Sequence, residues 1–514
     1  MSRRRVIVIG AGLGGLSAAI SLATEGHAVT VLEKNLGPGG KLNGAEQSGF
    51  RFDLGPSILT MPHVFSALFE RAGKSMSDYV RFHELSTHWR NFFEDGLVLD
   101  LCSNVSEQEQ ELAKLGPGVA RGFFAFLEYS RKLCKLTERG YFAKGLESLG
   151  QVLAHYGTAA AGFDLAHSLH GGVRRFVRET HLVDILDYFV KYVGASPYDA
   201  PAVLNLLPFV QYGYGLWYVE GGMHALGHAL VALLRDLGGD VRYGVEIAGL
   251  EREDSSIRAV VDASGAWWSA DLVVSNMEVV PFYKSIARES PRFLARYRRF
   301  APSCSGLVMH FGVDTVYPQL AHHNVFYSRD SRKHFASIFK RRILSEDPTV
   351  YLVAPCKTDP SLAPPGSEVI KALPHIPHLE RDDEFSEQDY SELRERVLVK
   401  LERMGLKDLR RHIVAEQTLT PLDIERLYRS NGGSIYGVVA NRFGNLGFKI
   451  PQRSERYRNL YFVGGSVNPG GGMPMVVLSG QLVRDKIQDD IASGRLGAFV
   501  ASEHPAHPRP RAAH

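Results

Sequence analysis

The chain has 514 residues, 45% of them hydrophobic and 22% charged, with a formal net charge of +3. These proportions exclude a disordered chain, point to more than one domain, and give no electrostatic case for binding nucleic acid. Four cysteines, Cys102, Cys134, Cys304 and Cys356, lie far apart with no C-x-x-C, so no metal site or redox dithiol is indicated and a reducing cytoplasm is expected.

Val6 to Ile9 is a β-branched apolar run suited to a buried parallel strand, and Gly10, Gly12 and Gly15 follow it as G-x-G-x-x-G. Leu16 to Ala23 reads as a small-residue helix, and Ala28 to Leu32 as a second strand ending in Glu33. In such a unit the first glycine allows the tight turn, the second lets backbone approach a pyrophosphate, and the third lets helix and strand pack closely. The helix N-terminus offers free N–H groups to phosphate, and an acid at Glu33 suits ribose hydroxyls while disfavouring a 2′-phosphate. Gly14 and Lys34 flank these positions and join the candidate contacts. The motif alone does not separate NAD from FAD. A second glycine pair follows at once in Pro38-Gly39-Gly40-Lys41, and then Phe52-Asp53-Leu54-Gly55-Pro56. A glycine pair after the ribose-binding acid resembles FAD-dependent amine oxidases and carotenoid desaturases, and implies a flavin with Gly39, Gly40 and Lys41 beside it.

Phe65 to Ala72 reads as a short amphipathic helix, and Arg81 to Leu101 as short strands with a hairpin turn at Phe92 to Gly96. From about Ser106 to Leu186 the pattern is helical, with Phe123-Phe124-Ala125-Phe126 and the bases Arg121, Arg131, Lys132, Lys135, Arg139 and Lys144. Such helices either lie in a membrane interface or carry a solvated basic face. No window approaches the roughly 18 apolar residues of a spanning helix. Leu216 to Met223 is a strand running into a Gly-Gly turn, followed by a helix from Ala225 to Leu237 and strands at Asp240 to Tyr243, Ile257 to Val261 and Leu272 to Ser275. His224 and His228 share a helix face, but HALGH lacks the glutamate of a zinc H-E-x-x-H, so no metal site is expected. Gly306 to Pro377 alternates strands and loops as a mixed sheet. His322 and His323, being adjacent, suit a surface or packing role. Ser386 to Met404 is a charged amphipathic helix.

Near the end, a buried strand at Leu460 to Val463 meets Gly464 and Gly465. Gly470, Gly471, Gly472, Met473 and Pro474 then open a helix from Met475 to Ile487. Glycines there let a ligand lie against backbone, and the helix N-terminus stabilises negative charge. The segment after Gly494, rich in Pro, Ala, His and Arg, reads as a disordered tail.

From about Arg5 to Ile491 the chain resembles the bacterial phytoene-desaturase-type carotenoid oxidoreductases. The resemblance is carried by Phe52 to Pro62, Lys191-Tyr192-Val193-Gly194, Tyr198 to Leu204, Gly215 to Gly222 and Val467 to Val476. Asn468-Pro469 and Gly472-Met473 stand where desaturases often have His-Pro or Phe-Pro, and Gly-Ile or Gly-Val. This pattern resembles the family branch that oxidises the ends of C30 carotenoids.

The resemblance implies an α/β fold, with a Rossmann-type FAD-binding domain, an interleaved mixed-sheet substrate domain and a helical region able to associate with membrane. The expected division is FAD-binding at 1–100, 216–290 and 431–493, helical and membrane-associating at 101–215, substrate-binding at 291–430, and tail at 494–514. It implies FAD as cofactor, with Val245 beside the adenine and Gly464, Gly465, Gly471, Gly472 and Met473 at the flavin ring. The implied reaction is oxidation of a terminal methyl group of a C30 carotenoid to an aldehyde, with desaturation of carbon–carbon bonds as the alternative. The implied setting is cytoplasmic, on a membrane surface. Catalytic side chains, oxygen source and oligomeric state stay open. The reaction centre is expected where Gly39 to Pro56, Trp217 to Met223 and Asn468 to Pro474 meet, with Trp217 and Met473 as substrate contacts.

Overall fold

The structure is a computed structural model, and residues 3–382 and 384–496 are described. Most of the expected tail, 497–514, lies outside them. Five parallel strands form the sheet that organises the chain. Their order is Leu460–Phe462, Leu272–Ser275, Arg5–Ile9, Ala28–Glu33 and Asp240–Tyr243. Val8 sits at the centre, paired in register with Val31 on one side and Val274 on the other. It is fully buried, as a continuous β-branched run requires when both faces of a sheet are covered. The sheet gathers strands from the start, middle and end of the sequence, so the nucleotide-binding unit closes only when the last strand docks.

Two helices cross on one face of this sheet. Leu13–Thr24 packs against Met473–Ala492, and small residues set the distance: a Cβ at Gly480 would stand 2.5 Å from Ala18 N. Ser17 Oγ donates to Val477 O at 2.6 Å across the crossing. The C-terminal helix starts at Met473, two residues before the expected Met475. Pro474 fits its first turn because that position has no intrahelical acceptor to lose.

The second sheet has eight strands. Along it run Ile413–Leu419, Val308–Val313, Glu368–Ile376, Val350–Val353, His323–Phe326, Thr87–Phe92 and Val98–Cys102, with Ser305–Gly306 pairing Glu368–Ile376 from the side. All neighbours are antiparallel except His323–Phe326 and Thr87–Phe92. The expected hairpin at Phe92 to Gly96 joins the last two strands, which hydrogen-bonding places in this sheet rather than with the nucleotide-binding strands. The helix Glu387–Arg403 lays Leu393, Val397, Leu398 and Leu401 against it, while Lys400 is buried and pairs with Asp347 at 2.5 Å.

The helical region between residues 105 and 214 caps the mixed sheet. In Val119–Thr137 the apolar face of Phe123, Phe126 and Leu133 is buried, and the helix packs on Leu206–Tyr214. Two of its bases pair within the helix region, Arg131 Nε with Glu128 Oε2 at 2.7 Å and Lys135 Nζ with Glu138 Oε2 at 2.9 Å. No described helix is long and apolar enough to cross a membrane. His322 and His323 are both buried, so packing rather than surface describes them. Their Nδ1 atoms meet Thr358 Oγ1 at 2.7 Å and Tyr351 OH at 2.8 Å.

Candidate active site

A long cavity runs over the carboxyl ends of the parallel strands, where ligands bind in open α/β sheets. Of the expected cofactor contacts, Gly10, Gly12, Gly14, Glu33, Lys34, Gly39, Gly40, Lys41, Val245, Gly464, Gly465, Gly471, Gly472 and Met473 all line it. Gly15 does not. It lies behind the turn, where a Cβ would come 2.1 Å from Gly10 O, and it serves the helix–strand packing that its motif position implies.

The glycine stretches touch one another. A Cβ at Gly40 would lie 3.0 Å from Gly12 Cα, and one at Gly14 would lie 3.0 Å from Gly464 N. Gly39 N–H donates to Ala11 O at 2.8 Å, which ties the second turn to the first. The result is a backbone-lined cradle that any side chain would fill. Two helices open on it, Leu13–Thr24 capped by Gly12 and Met473–Ala492 capped by Gly472, and neither has a side chain bonded to its free N–H groups. Those orphan donors and positive dipole ends are left for an anionic ligand at two separate points.

Glu33 is buried and accepts from Ala11 N–H at 2.7 Å on Oε2 and from Asn35 N–H at 2.9 Å on Oε1. Burial pushes its carboxyl upward, and these two backbone bonds pull against that shift. A carboxylate has about four acceptor positions, so the group retains capacity for ribose hydroxyls. Val245 N–H donates to Glu33 O at 2.9 Å, which brings the Val245 backbone alongside the acid. Lys34 lines the cavity, but its ammonium donates to Arg426 O at 2.5 Å. Lys41 donates to Ser434 O at 2.9 Å and stands 3.6 Å from Glu278.

Several lining residues were not anticipated from the sequence. Asn276 follows the strand Leu272–Ser275 and projects its amide among the glycines, where a Cβ at Gly12 would meet Nδ2 at 2.4 Å and one at Gly14 would meet Oδ1 at 2.7 Å. Its position at the carboxyl end of a central parallel strand was the available signal. Lys371, from the mixed sheet, reaches the same cavity and is held by Gly55 O, by Asp53 O at 3.2 Å and by Ser57 Oγ at 3.1 Å. Burial pushes its ammonium down to about 8. Nothing in its local sequence marks it, because its approach depends on how the two sheets meet.

A second cavity, lined chiefly by aliphatic and aromatic side chains such as Ile58, Met61, Phe142, Leu204, Leu207 and Phe448, meets the first. Gly471, Gly472 and Met473 line both. Met473 thus lies at the junction of the two cavities. Trp217 lines neither cavity. Its backbone N–H donates to Leu59 O at 2.9 Å, its indole N–H to Tyr214 O at 2.7 Å, and its strand pairs with Phe82–Glu84. The stretch 217–223 thus braces the site from behind, with Met223 N–H donating to Asp53 Oδ2 at 2.9 Å. His224 Nδ1 meets Asp53 Oδ1 at 3.0 Å. Burial acts to raise the Asp53 carboxyl, yet these bonds hold it below the usual range. No group of three or more potential metal ligands occurs among the described residues.

The pattern of strands, glycine turns and C-terminal helix matches a family model for flavin-containing amine oxidoreductases over residues 13–487. The chain belongs to the flavin-containing amine oxidoreductase family. As a member of that family it is an FAD-dependent oxidoreductase, and the cradle, both open helix ends and the ribose acid fit FAD. The turn at Gly10, Gly12 and Gly14 would hold the pyrophosphate, Glu33 and Val245 the adenosine end, and Gly464, Gly465 and Gly471 to Met473 the isoalloxazine. The chain is 60% identical over 490 residues to 4,4′-diapolycopene oxygenase of a Methylomonas species, covering 95% of this chain and 99% of that protein. It is 47% identical over 490 residues to 4,4′-diaponeurosporene oxygenase of Staphylococcus haemolyticus, covering 95% of this chain and 97% of that protein. A solved putrescine oxidase with putrescine bound shares the fold at a TM-score of 0.62 and 15% identity, over 95% of this chain and 99% of that one.

Proposed function

We propose that the protein oxidises the terminal methyl group of a C30 carotenoid, 4,4′-diaponeurosporene or 4,4′-diapolycopene, to an aldehyde. The observation that carries this reading is the apolar cavity that meets the cofactor cavity at Gly471 to Met473. A rod-like hydrocarbon has no polar handle, so its end must be positioned by shape and by exclusion of water. Side chains such as Phe142, Leu207 and Phe448 supply that shape, and Met473, at the junction with the cofactor cavity, would face the chain end. FAD, when bound, supplies a hydride acceptor, and a cation at the end of a conjugated chain is delocalised along it. The 60% identity to a protein named for oxygenation of a C30 carotenoid favours methyl oxidation over desaturation. Anaerobic mixing of the FAD-loaded protein with 4,4′-diaponeurosporene tests the reading. Bleaching of the visible flavin absorbance is expected, and an unchanged spectrum would overturn it.

The same reading places the protein on a membrane surface, since such a substrate resides in lipid. The helix Val119–Thr137 turns Phe123, Phe126 and Leu133 inward, which leaves it no broad apolar face to insert into lipid. The rim of the apolar cavity is better suited. Leu165 and Leu446 line the cavity and are also exposed, with Leu153 and Phe443 exposed in the neighbouring segments. Vesicle flotation should weaken in a Leu165→Ser, Leu446→Ser variant, and unaltered flotation would exclude this rim.

A further inference from the structure

Lys449 breaks the chemistry of the apolar cavity. It is the only charged side chain among the described residues that line that space. It is 5% exposed and lies next to the junction with the cofactor cavity: a Cβ at Gly470 would come 3.1 Å from Lys449 Cε. Of the three N–H donors of its ammonium, one is used, toward Val438 O at 2.5 Å. Among the described residues no carboxylate answers its charge, and burial pushes the ammonium down to about 7.

Three hydroxyls of the same cavity already donate to other acceptors. Tyr141 OH donates to Asn468 Oδ1 at 2.7 Å, Tyr192 OH to Gln211 Oε1 at 2.6 Å, and Thr137 Oγ1 to Leu133 O at 2.8 Å. A cationic donor with unfilled capacity, set in a wall of carbon, is costly unless an acceptor arrives. A carotenoid hydrocarbon brings none. An oxidised chain end, whether hydroxyl or aldehyde, brings one oxygen at the end of an apolar rod.

We propose that Lys449 recognises the oxygen of an already oxidised carotenoid end by donating a hydrogen bond to it, so that the cavity holds partly oxidised substrate in preference to hydrocarbon. This rests on the carotenoid reading above and adds a specificity-determining residue to it. The consequence is retention of the first oxygenated product beside the flavin site, which drives oxidation onward to the aldehyde.

Binding measurements on the FAD-loaded protein in detergent micelles test this with 4,4′-diaponeurosporene and its terminal aldehyde as probes. Wild type is expected to bind the aldehyde about tenfold more tightly than the hydrocarbon, the size of one charge-assisted hydrogen bond. The visible band of the bound aldehyde should also shift to the red. Lys449→Met, close in volume, is expected to bind both probes equally, without the red shift and with full FAD content. Lys449→Gln, which keeps a neutral donor, is expected to retain a smaller preference. It serves as the test should the methionine variant fail to fold, and an undiminished tenfold preference in it would then overturn the inference. Wild type that binds the hydrocarbon without preferring the aldehyde, or Lys449→Met that keeps the preference, overturns this inference alone. Wild type that binds neither probe overturns the carotenoid reading and the inference together.

Discussion

Gly471 is the position at which the two cavities and the backbone of the mixed region press on one another. In Gly471→Ala the new Cβ would lie 2.5 Å from Tyr436 O, 3.1 Å from Tyr436 C and 3.2 Å from Tyr436 Cα. The obstacle is main chain, and it is anchored: Tyr436 N–H donates to Ser303 Oγ at 3.1 Å and Ile435 N–H to Cys304 O at 3.2 Å. The glycine turn must therefore move about 0.9 Å to reach ordinary contact distance, and the open direction is into the shared cavity. Overpacking of this kind costs about 1–3 kcal/mol in stability. A displacement near 1 Å beside a reacting centre lowers the rate by about 10²-fold. Gly472→Ala is the comparison. Its φ of +100° is unfavourable for alanine, but no atom lies within 4 Å of the Cβ position, so it should carry backbone strain without driving the turn toward Tyr436's opposite side. The assay measures FAD retained after gel filtration, the urea midpoint and kcat/KM for both variants. Gly471→Ala is expected to lose about two orders of magnitude in kcat/KM, more than Gly472→Ala. Full FAD content with kcat/KM within about threefold of wild type would refute the steric argument.

Glu33→Gln removes the charge but not the side-chain volume, and should weaken FAD binding by about 10- to 100-fold, as loss of charge-assisted bonds to ribose predicts; equilibrium dialysis against FAD measures it. Trp217→Ala is expected to lower the melting temperature while leaving substrate preference unchanged, because Trp217 lines neither cavity; product profiles on two carotenoids check this. Acid should unfold the protein early. His310, His322, His334 and His375 are each pushed down to about 3, chiefly by burial, and His88 to about 4. Below the unfolded value of 6.5 the unfolded chain binds more protons than the folded one, so stability falls with pH, by about 2 kcal/mol per such histidine at pH 5. A urea midpoint flat between pH 7 and pH 5 would contradict the buried, neutral state of these rings.

The nucleotide-binding unit was legible because its parts are neighbours in sequence. Strand, glycine turn, helix and acid occupy Val6 to Glu33, and local geometry alone brings Ala11 N–H to Glu33. The closing glycine stretch at Gly464 to Met473 was legible for the same reason. Asn276 was not, because its contact with Gly12 and Gly14 arises from the strand order of the parallel sheet. Lys371 needs the mixed sheet to dock before it can reach Gly55. Pairing of Thr87–Phe92 with His323–Phe326 spans more than two hundred residues, and no local signal specifies it. Trp217 was expected at the tunnel because the stretch 217–223 was expected to meet the reaction centre, but it lines neither cavity and its indole N–H donates to Tyr214 O within its own segment. Lys449 gave no signal at all, since a lone lysine in a polar loop and one in an apolar wall read alike.

Mass spectrometry of the product tests the central claim most directly. The FAD-loaded protein is incubated in air with 4,4′-diaponeurosporene in lipid vesicles, and the extracted pigment is weighed against the starting material. Methyl oxidation to an aldehyde predicts gain of one oxygen and loss of two hydrogens at each oxidised end. Loss of hydrogen pairs with no oxygen gained would identify a desaturase and contradict the account.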